Sequence, residues 1–327
     1  MPRPLSICVV APSGVIVDDG RVDRMRNFFG ARGINVIVPD AVRGVEQRFA
    51  GSDAARLDAL HQAAARDDVD IILAARGGYG LSRLLDKIDY DLLADSKKIF
   101  VGHSDFTALS LALLAKKSCI SFAGPHALGD FGDPSPSEFT TGHFFRILGS
   151  PQTEISVAAV NPYSFEGTGT LWGSNLSLLA ALIGTPYIPS VPNGILFLED
   201  INETPYRVER MLYQLFHAGI LQQQQAILLG DFSTDNGNDA GYDLQSVVSH
   251  FRERLTVPIL MGLPFGHIRD KLTLPIGATC HLTVTNNQFK LGLSWDLYRL
   301  IGRSLDSTCQ VVSDRTPGEP RVTTEPV

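Results

Sequence analysis

The 327-residue chain has no excess of positive charge: 28 Lys and Arg stand against 35 Asp and Glu, for a formal net charge of −7. Attachment to a phosphate backbone or an anionic membrane surface draws on a basic excess, so neither nucleic acid nor membrane is expected as a partner. Long apolar runs are also missing. Nothing approaches the roughly 18 consecutive apolar residues of a membrane span. The opening MPRPLSICVVAPSG contains only the short run LSICVVA, which lacks the core length and cleavage site of a secretory signal and reads as a first β-strand. Cysteine is scarce: Cys8, Cys119, Cys280 and Cys309 show no CxxC spacing. They indicate neither a disulfide framework nor a metal site, and fit reduced core residues of a cytoplasmic protein.

What is present is 44% hydrophobic residues, 19% charged, 30 Gly and 19 Pro, the profile of a loop-rich globular chain with a sizeable core and length enough for two domains. Short β-branched runs alternate with helical patterns over the first 125 residues. Strands are expected at Ile7–Val10, Ile34–Val38, Ile71–Ala74 and Ile99–Val101, and helices at Asp18–Gly30, Ala54–Ala65 and Phe106–Lys117. This alternation predicts an α/β fold with a mostly parallel sheet flanked by helices. In such sheets function gathers at loops beyond the carboxyl ends of the strands, here Pro12–Gly14, Arg76–Gly80 and His103–Asp105. Gly- and Pro-rich text after Gly129 marks a connection, giving an N-terminal domain over 1–145, a linker over 146–170 and a C-terminal domain over 171–305. That second domain has strands at Gly194–Leu198 and Ala226–Leu229, helices near Pro205–Ala218 and Leu244–Leu255, and a hairpin turning at Asn286-Asn287. The stretch 306–327 has nothing to bury and is expected to be disordered.

KKIFVGHSDFTALSLALLAKKS sets Ser104 between an apolar strand and a long helix, the position of a nucleophile elbow, where the following backbone N–H can face an oxyanion. Helix capping explains a serine there equally well. The glycines of ARGGYG permit close backbone approach and a second oxyanion N–H; a tight turn is the plain alternative, since the phosphate-binding pattern GxxxxGK[ST] is absent. Among the histidines, His267 stands out in the Gly-Pro loop GLPFGHIRD, with His103 and His126 as second choices. Glu199 follows the apolar run GILFL at a strand end, with Asp200 and Glu203 as close competitors for the orienting carboxylate.

Taken together, VVAPSG, ARGGYG, VGHSDFTAL, GTLWGSNLSLLAALIGTP, LEDINETPYRVERML and GLPFGHIRDKLTLPIGA resemble the LD-carboxypeptidase family of serine peptidases, which includes muramoyl-tetrapeptide carboxypeptidases and microcin C resistance hydrolases. The resemblance runs from Ser6 to Gly302. It implies an N-terminal domain of flavodoxin or glutamine-amidotransferase type and a C-terminal α+β domain with a β-barrel-like core, with the site between them in a homodimer. It further implies a Ser104–Glu199–His267 triad, an oxyanion hole from the N–H groups of Asp105 and Gly78 with Gly77 as the other candidate, and no metal or organic cofactor. The substrate implied is a murein tetrapeptide, cut between meso-diaminopimelate or L-Lys and the terminal D-Ala during cell-wall recycling.

A carboxypeptidase must hold a terminal carboxylate, for which Arg76, Arg207 or Arg269 offers a forked partner. Trp172 and Asn175 are candidates for lining the substrate cleft, although core packing is the plain reading of the tryptophan. His103, directly before the nucleophile, is where the chain departs from the family pattern, either by altering the pocket or by competing as a base. Competing functions are a microcin-type hydrolase of peptidyl-nucleotide amides and a noncatalytic ligand-binding α/β protein. A glutamine-amidotransferase-like enzyme would want cysteine where Ser104 stands.

Overall fold

The computed structural model of the protein describes residues 3–17, 20–158, 164–233, 240–285 and 287–295. The chain order begins with β1 (Ser6–Val10), α1 (Arg21–Gly30), β2 (Asn35–Ile37), α2 (Asp53–Ala65), β3 (Ile71–Ala74), α3 (Tyr90–Asp95), β4 (Ile99–Val101), α4 (Thr107–Lys117), β5 (Ser121–Ala123) and α5 (Glu138–Gly149). It continues through β6 (Gln152–Ala158), β7 (Phe165–Asn175), α6 (Leu176–Leu182), β8 (Ile195–Ile201), α7 (Pro205–His217) and β9 (Ala226–Ser233). The last elements are α8 (Leu244–Arg254), β10 (Ile259–Met261), β11 (Leu274–Ile276), β12 (Thr279–Val284) and β13 (Gln288–Ser294).

The first sheet has six strands in the order β11-β5-β4-β3-β1-β2. All of its pairings are parallel except β11 with β5. β1 and β3 are buried at every position, as parallel strands covered on both faces must be, which is why they read as unbroken apolar runs. The second sheet has seven strands in the order β10-β9-β8-β7-β12-β13-β6, and is the form taken by the core expected to be barrel-like. Its β10-β9-β8-β7 part is parallel and its β7-β12-β13-β6 part antiparallel. No helix among the described residues is long and apolar enough to cross a membrane.

Two features differ from the expected division. The segment read as a linker over 146–170 contains the end of α5, the whole of β6 and the start of β7. The Gly and Pro around QTEISVA hide a strand whose residues alternate exposed and buried along its length, with Ile155 and Val157 in the core. β11, from the C-terminal part of the chain, joins the first sheet by pairing Leu274 with Ala123. Its Pro275 is tolerated because β11 is an edge strand. Residues 306–327, the turn residue Asn286 and the expected helix start at Asp18 lie outside the described residues.

The sheets are joined at one corner. Leu171 N donates to Ala278 O and Gly277 N donates to Leu171 O, each at 2.8 Å, while Asn175 N donates to Thr107 Oγ1 at 3.3 Å. The end of β7 is thereby fixed to the start of α4. At the same place Gly173 has φ +127°, and a Cβ there would lie 2.0 Å from Phe197 O of the parallel neighbour β8. Gly173→Ala is expected to lower stability by about 3 kcal/mol or more, since neither the backbone angle nor the contact admits the methyl. Urea unfolding checks this, and a midpoint unchanged from wild type would contradict the tight β7–β8 approach.

Candidate active site

The loops expected to carry function converge. β4 ends at Val101, and Ser104 takes φ +58° before a single 3-10 turn leads into α4. Left-handed backbone at a non-glycine residue costs on the order of 1 kcal/mol or more and is held only where surroundings enforce it. The ARGGYG loop packs directly on this serine: a Cβ on Gly77 would lie 2.6 Å from Ser104 Cβ and 2.7 Å from its Oγ, so only glycine fits. The fully buried Asp105 ties the loops together. Its Oδ2 accepts from Ser13 Oγ at 2.6 Å and from Leu81 N at 2.9 Å, and burial raises its pKa. Arg56, buried beneath, donates to the carbonyls of Pro12 and Gly80.

The second sheet supplies a carboxylate and an imidazole. Glu199 lies at the end of β8 with no exposed surface, where the pairing of β8 with β9 shifts register between Leu198 and Asp200. Such irregularities re-aim side chains. Glu199 Oε2 stands 2.8 Å from His267 Nδ1, and Oε1 accepts from Asn175 Nδ2 at 3.0 Å. A carboxylate at Nδ1 places the imidazole proton there and leaves Nε2 as the basic nitrogen. The competing acids point elsewhere. Asp200 accepts from Ser177 N and Oγ and from Ile201 N, and burial raises its pKa; Glu203 pairs with Arg207 at 3.5 Å.

His103 and His126 form a buried stack with centroids 3.9 Å apart and planes 17° apart. His103 Nδ1 lies 2.8 Å from Gly124 O, a carbonyl that can only accept, so that nitrogen carries the proton. Burial pushes the His103 pKa well below its usual value and that of His126 down to about 4. His103 is thus a neutral, already bonded ring, 5.1 Å from His267 between centroids and set edge-to-face against it. It shapes the site and is poorly placed to compete as base, and it adds no positive charge beside His267.

These rings open onto a cavity of about 440 Å³ whose lining also includes Asp130, Asp133, Arg269 and Lys271. Lys271 Nζ bonds Asp130 Oδ1 at 2.5 Å, and Asp130 Oδ2 accepts from His126 N at 2.7 Å. Sequence reading missed this pair, whose members are 141 residues apart with nothing local to link them.

Several expected substrate contacts lie elsewhere. Trp172 is 1% exposed, donates from Nε1 to Gln224 Oε1 at 2.9 Å, and does not line the cavity; it lies in the buried Leu171–Asn175 end of β7, so the indole is core. Asn175 is also buried. It caps α6 by accepting from Leu178 N, and its Nδ2 bridges Glu199 and Asp200, so it holds the carboxylates rather than facing a ligand. Arg76 donates to Val15 O at 2.9 Å on the exposed loop surface, and the exposed Arg207 of α7 pairs with Glu203 just before that helix. Of the arginines considered, only Arg269 lines the cavity. Among the described residues no cluster of His, Cys, Asp and Glu is grouped to hold a metal.

Trp172→Phe is expected to cost about 1–3 kcal/mol by leaving Gln224 Oε1 unpaired, with KM for substrate unchanged; a raised KM would return the indole to the binding surface. The buried His126 gives a pH signature. Its folded-state value lies below the unfolded one of 6.5, so its contribution is intact above pH 6.5 and is lost progressively as pH falls toward about 4. His126→Asn should flatten the stability–pH curve in that window by about one proton, and superimposable curves would show that the imidazole is not held neutral.

The chain is similar to known proteins along most of its length. The description "LD-carboxypeptidase N-terminal domain" matches residues 7–124 and "LD-carboxypeptidase C-terminal domain" matches residues 168–282. A Bacillus subtilis protein named "Probable murein peptide carboxypeptidase" is 31% identical, the match covering 84% of this chain and 87% of that one. The murein tetrapeptide carboxypeptidase of Pseudomonas aeruginosa is 29% identical over 84% of this chain and 92% of its own. Among solved structures, the muramoyltetrapeptide carboxypeptidase of Oxalobacter formigenes superposes with a TM-score of 0.84 at 41% identity, covering 89% of this chain and 99% of that one. With both halves matched in order, and relatives above 30% identity aligned over most of its length, this chain belongs to the LD-carboxypeptidase family of peptidases.

Proposed function

We propose that the protein is a serine LD-carboxypeptidase that removes the terminal D-Ala from a murein tetrapeptide in the cytoplasm, with Ser104, His267 and Glu199 as its triad. The observation that carries this reading is the buried Glu199–His267 hydrogen bond of 2.8 Å, at a site that also holds a serine in a strained left-handed turn. A fully buried carboxylate aimed at the Nδ1 of a partly exposed imidazole orients a base toward whatever lies at Nε2. The names and structures of the relatives support the choice of substrate.

In this mechanism His267 Nε2 takes the Ser104 proton as Oγ attacks the carbonyl carbon of the L-configured centre preceding D-Ala. Glu199 stabilises the resulting imidazolium, and the backbone N–H groups of Asp105 and Gly78 stabilise the oxyanion, with the packing of Gly77 on Ser104 fixing the second loop. Collapse breaks the C–N bond as His267 returns its proton to the departing amine. A water, deprotonated by the same imidazole, then releases the acyl group from Ser104. The neutral His103 and His126 let His267 become charged without repulsion.

The reading that the protein hydrolyses nucleotide amides gains no support from the cavity, whose described lining contains no Trp, Tyr or Phe. Purified protein incubated with a diaminopimelate- or lysine-containing tetrapeptide should release D-Ala, detected by mass spectrometry, and Ser104→Ala should lower the rate by about 10⁴-fold or more. Absence of release from both peptides would refute the assignment.

A further inference from the structure

We infer that Arg269 is the receptor for the terminal carboxylate of the substrate, with the cavity beside His267 as the pocket for the departing D-residue. This rests on the carboxypeptidase reading above and names the group that makes the enzyme act at a chain end.

The side of the site is set by chemistry. The imidazole that takes the serine proton must later hand it to the leaving nitrogen, so the departing residue lies on the His267 side of the scissile bond. The cavity occupies that side, since His267, Ile268 and Arg269 all line it. The terminal carboxylate of a one-residue leaving group sits a single residue beyond the scissile carbonyl, so its receptor must be close to the base. Arg269 follows His267 by two positions.

The charges of the lining single out the same residue. Lys271 is neutralised by Asp130 at 2.5 Å, and the other oxygen of Asp130 holds His126 N. Asp133 Oδ1 accepts from Ser135 N at 2.8 Å, folding its carboxylate onto its own turn. Arg269 has one hydrogen bond, from Nη2 to Ser135 O at 2.8 Å, and no carboxylate partner among the described residues. Its remaining N–H groups are available to a carboxylate, which a planar guanidinium binds with two parallel hydrogen bonds.

The arginine is also held in place. Thr140 Oγ1 donates to Arg269 O at 2.7 Å and accepts from Lys271 N at 2.9 Å, while Ser137 Oγ donates to Asp270 Oδ1 at 2.5 Å. These contacts pin residues 269–271 to the first turn of α5, so the guanidinium is presented from a fixed backbone. Among the described residues Arg76 is likewise bonded only to a backbone carbonyl but does not line the cavity, and Arg207 is both outside it and paired with Glu203.

The test compares a tetrapeptide ending in free D-Ala with the same peptide ending in D-alaninamide. Wild type should favour the free acid by about 100-fold in kcat/KM. Arg269→Gln should bring that ratio close to one by lowering turnover of the acid, and Arg269→Lys should restore part of it. A proportional loss on both peptides would show a merely structural role and overturn the inference, as would a wild-type enzyme indifferent to amidation. Equilibrium binding of both peptides to the Ser104→Ala protein gives a readout without turnover. Binding of the acid over the amide that survives Arg269→Gln would place the receptor elsewhere. If neither peptide binds, the substrate reading itself fails and this inference falls with it.

Discussion

The site depends on a carboxylate buried without any exposed surface. An ionisable group taken out of water is tolerated only when its lone pairs are satisfied, and the fold meets that demand for Glu199 from two directions. Asn175 reaches it from the neighbouring strand β7, and His267 reaches it from the loop that follows β10. Asn175 can do so only because the last turn of β7 is secured to α4, whose own start is the serine-bearing turn. The carboxylate, the imidazole and the serine loop are therefore linked through one chain of hydrogen bonds and packed peptides, and moving any of them uncovers a buried polar group.

Electrostatically most of the surrounding groups are neutral or compensated, Arg269 and Asp133 at the cavity wall being the exceptions. His103 and His126 are kept uncharged by burial, Asp130 and Lys271 cancel, and Asp200 is absorbed in capping the start of α6. Under the proposed triad, a step that creates positive charge on His267 and negative charge on a substrate oxygen would meet few competing fixed charges there.

The parts of this architecture visible in the sequence are those encoded over a few consecutive residues. β1, β3 and β4 read as apolar runs because parallel strands are buried on both faces, and the loops after them fell where strand–helix alternation said they would. The serine turn, ARGGYG and GLPFGHI were each visible as local text. What stayed hidden was long-range or irregular. The register shift that aims Glu199 has no residue signature, so its separation from Asp200 rested on resemblance. β6 was masked by its Gly- and Pro-rich surroundings, β11 is three residues with a proline in the middle, and the Asp130–Lys271 pair joins distant segments. Trp172 sits in a suggestive motif, yet it lies in the end of β7 where every residue is buried.

The exchange of β11 into the first sheet bears on how the molecule can be divided. A fragment ending with the N-terminal family segment at residue 124 would keep β1 to β5 but lose the strand that covers β5. It would present Ser121–Ala123 as an unpaired apolar edge, the template on which sheets of separate molecules join. The complementary fragment would carry Leu274–Ile276 with no sheet to complete. The two halves named by sequence families therefore share a sheet, and the half bearing Ser104 acquires its finished edge only when the half bearing His267 has been made.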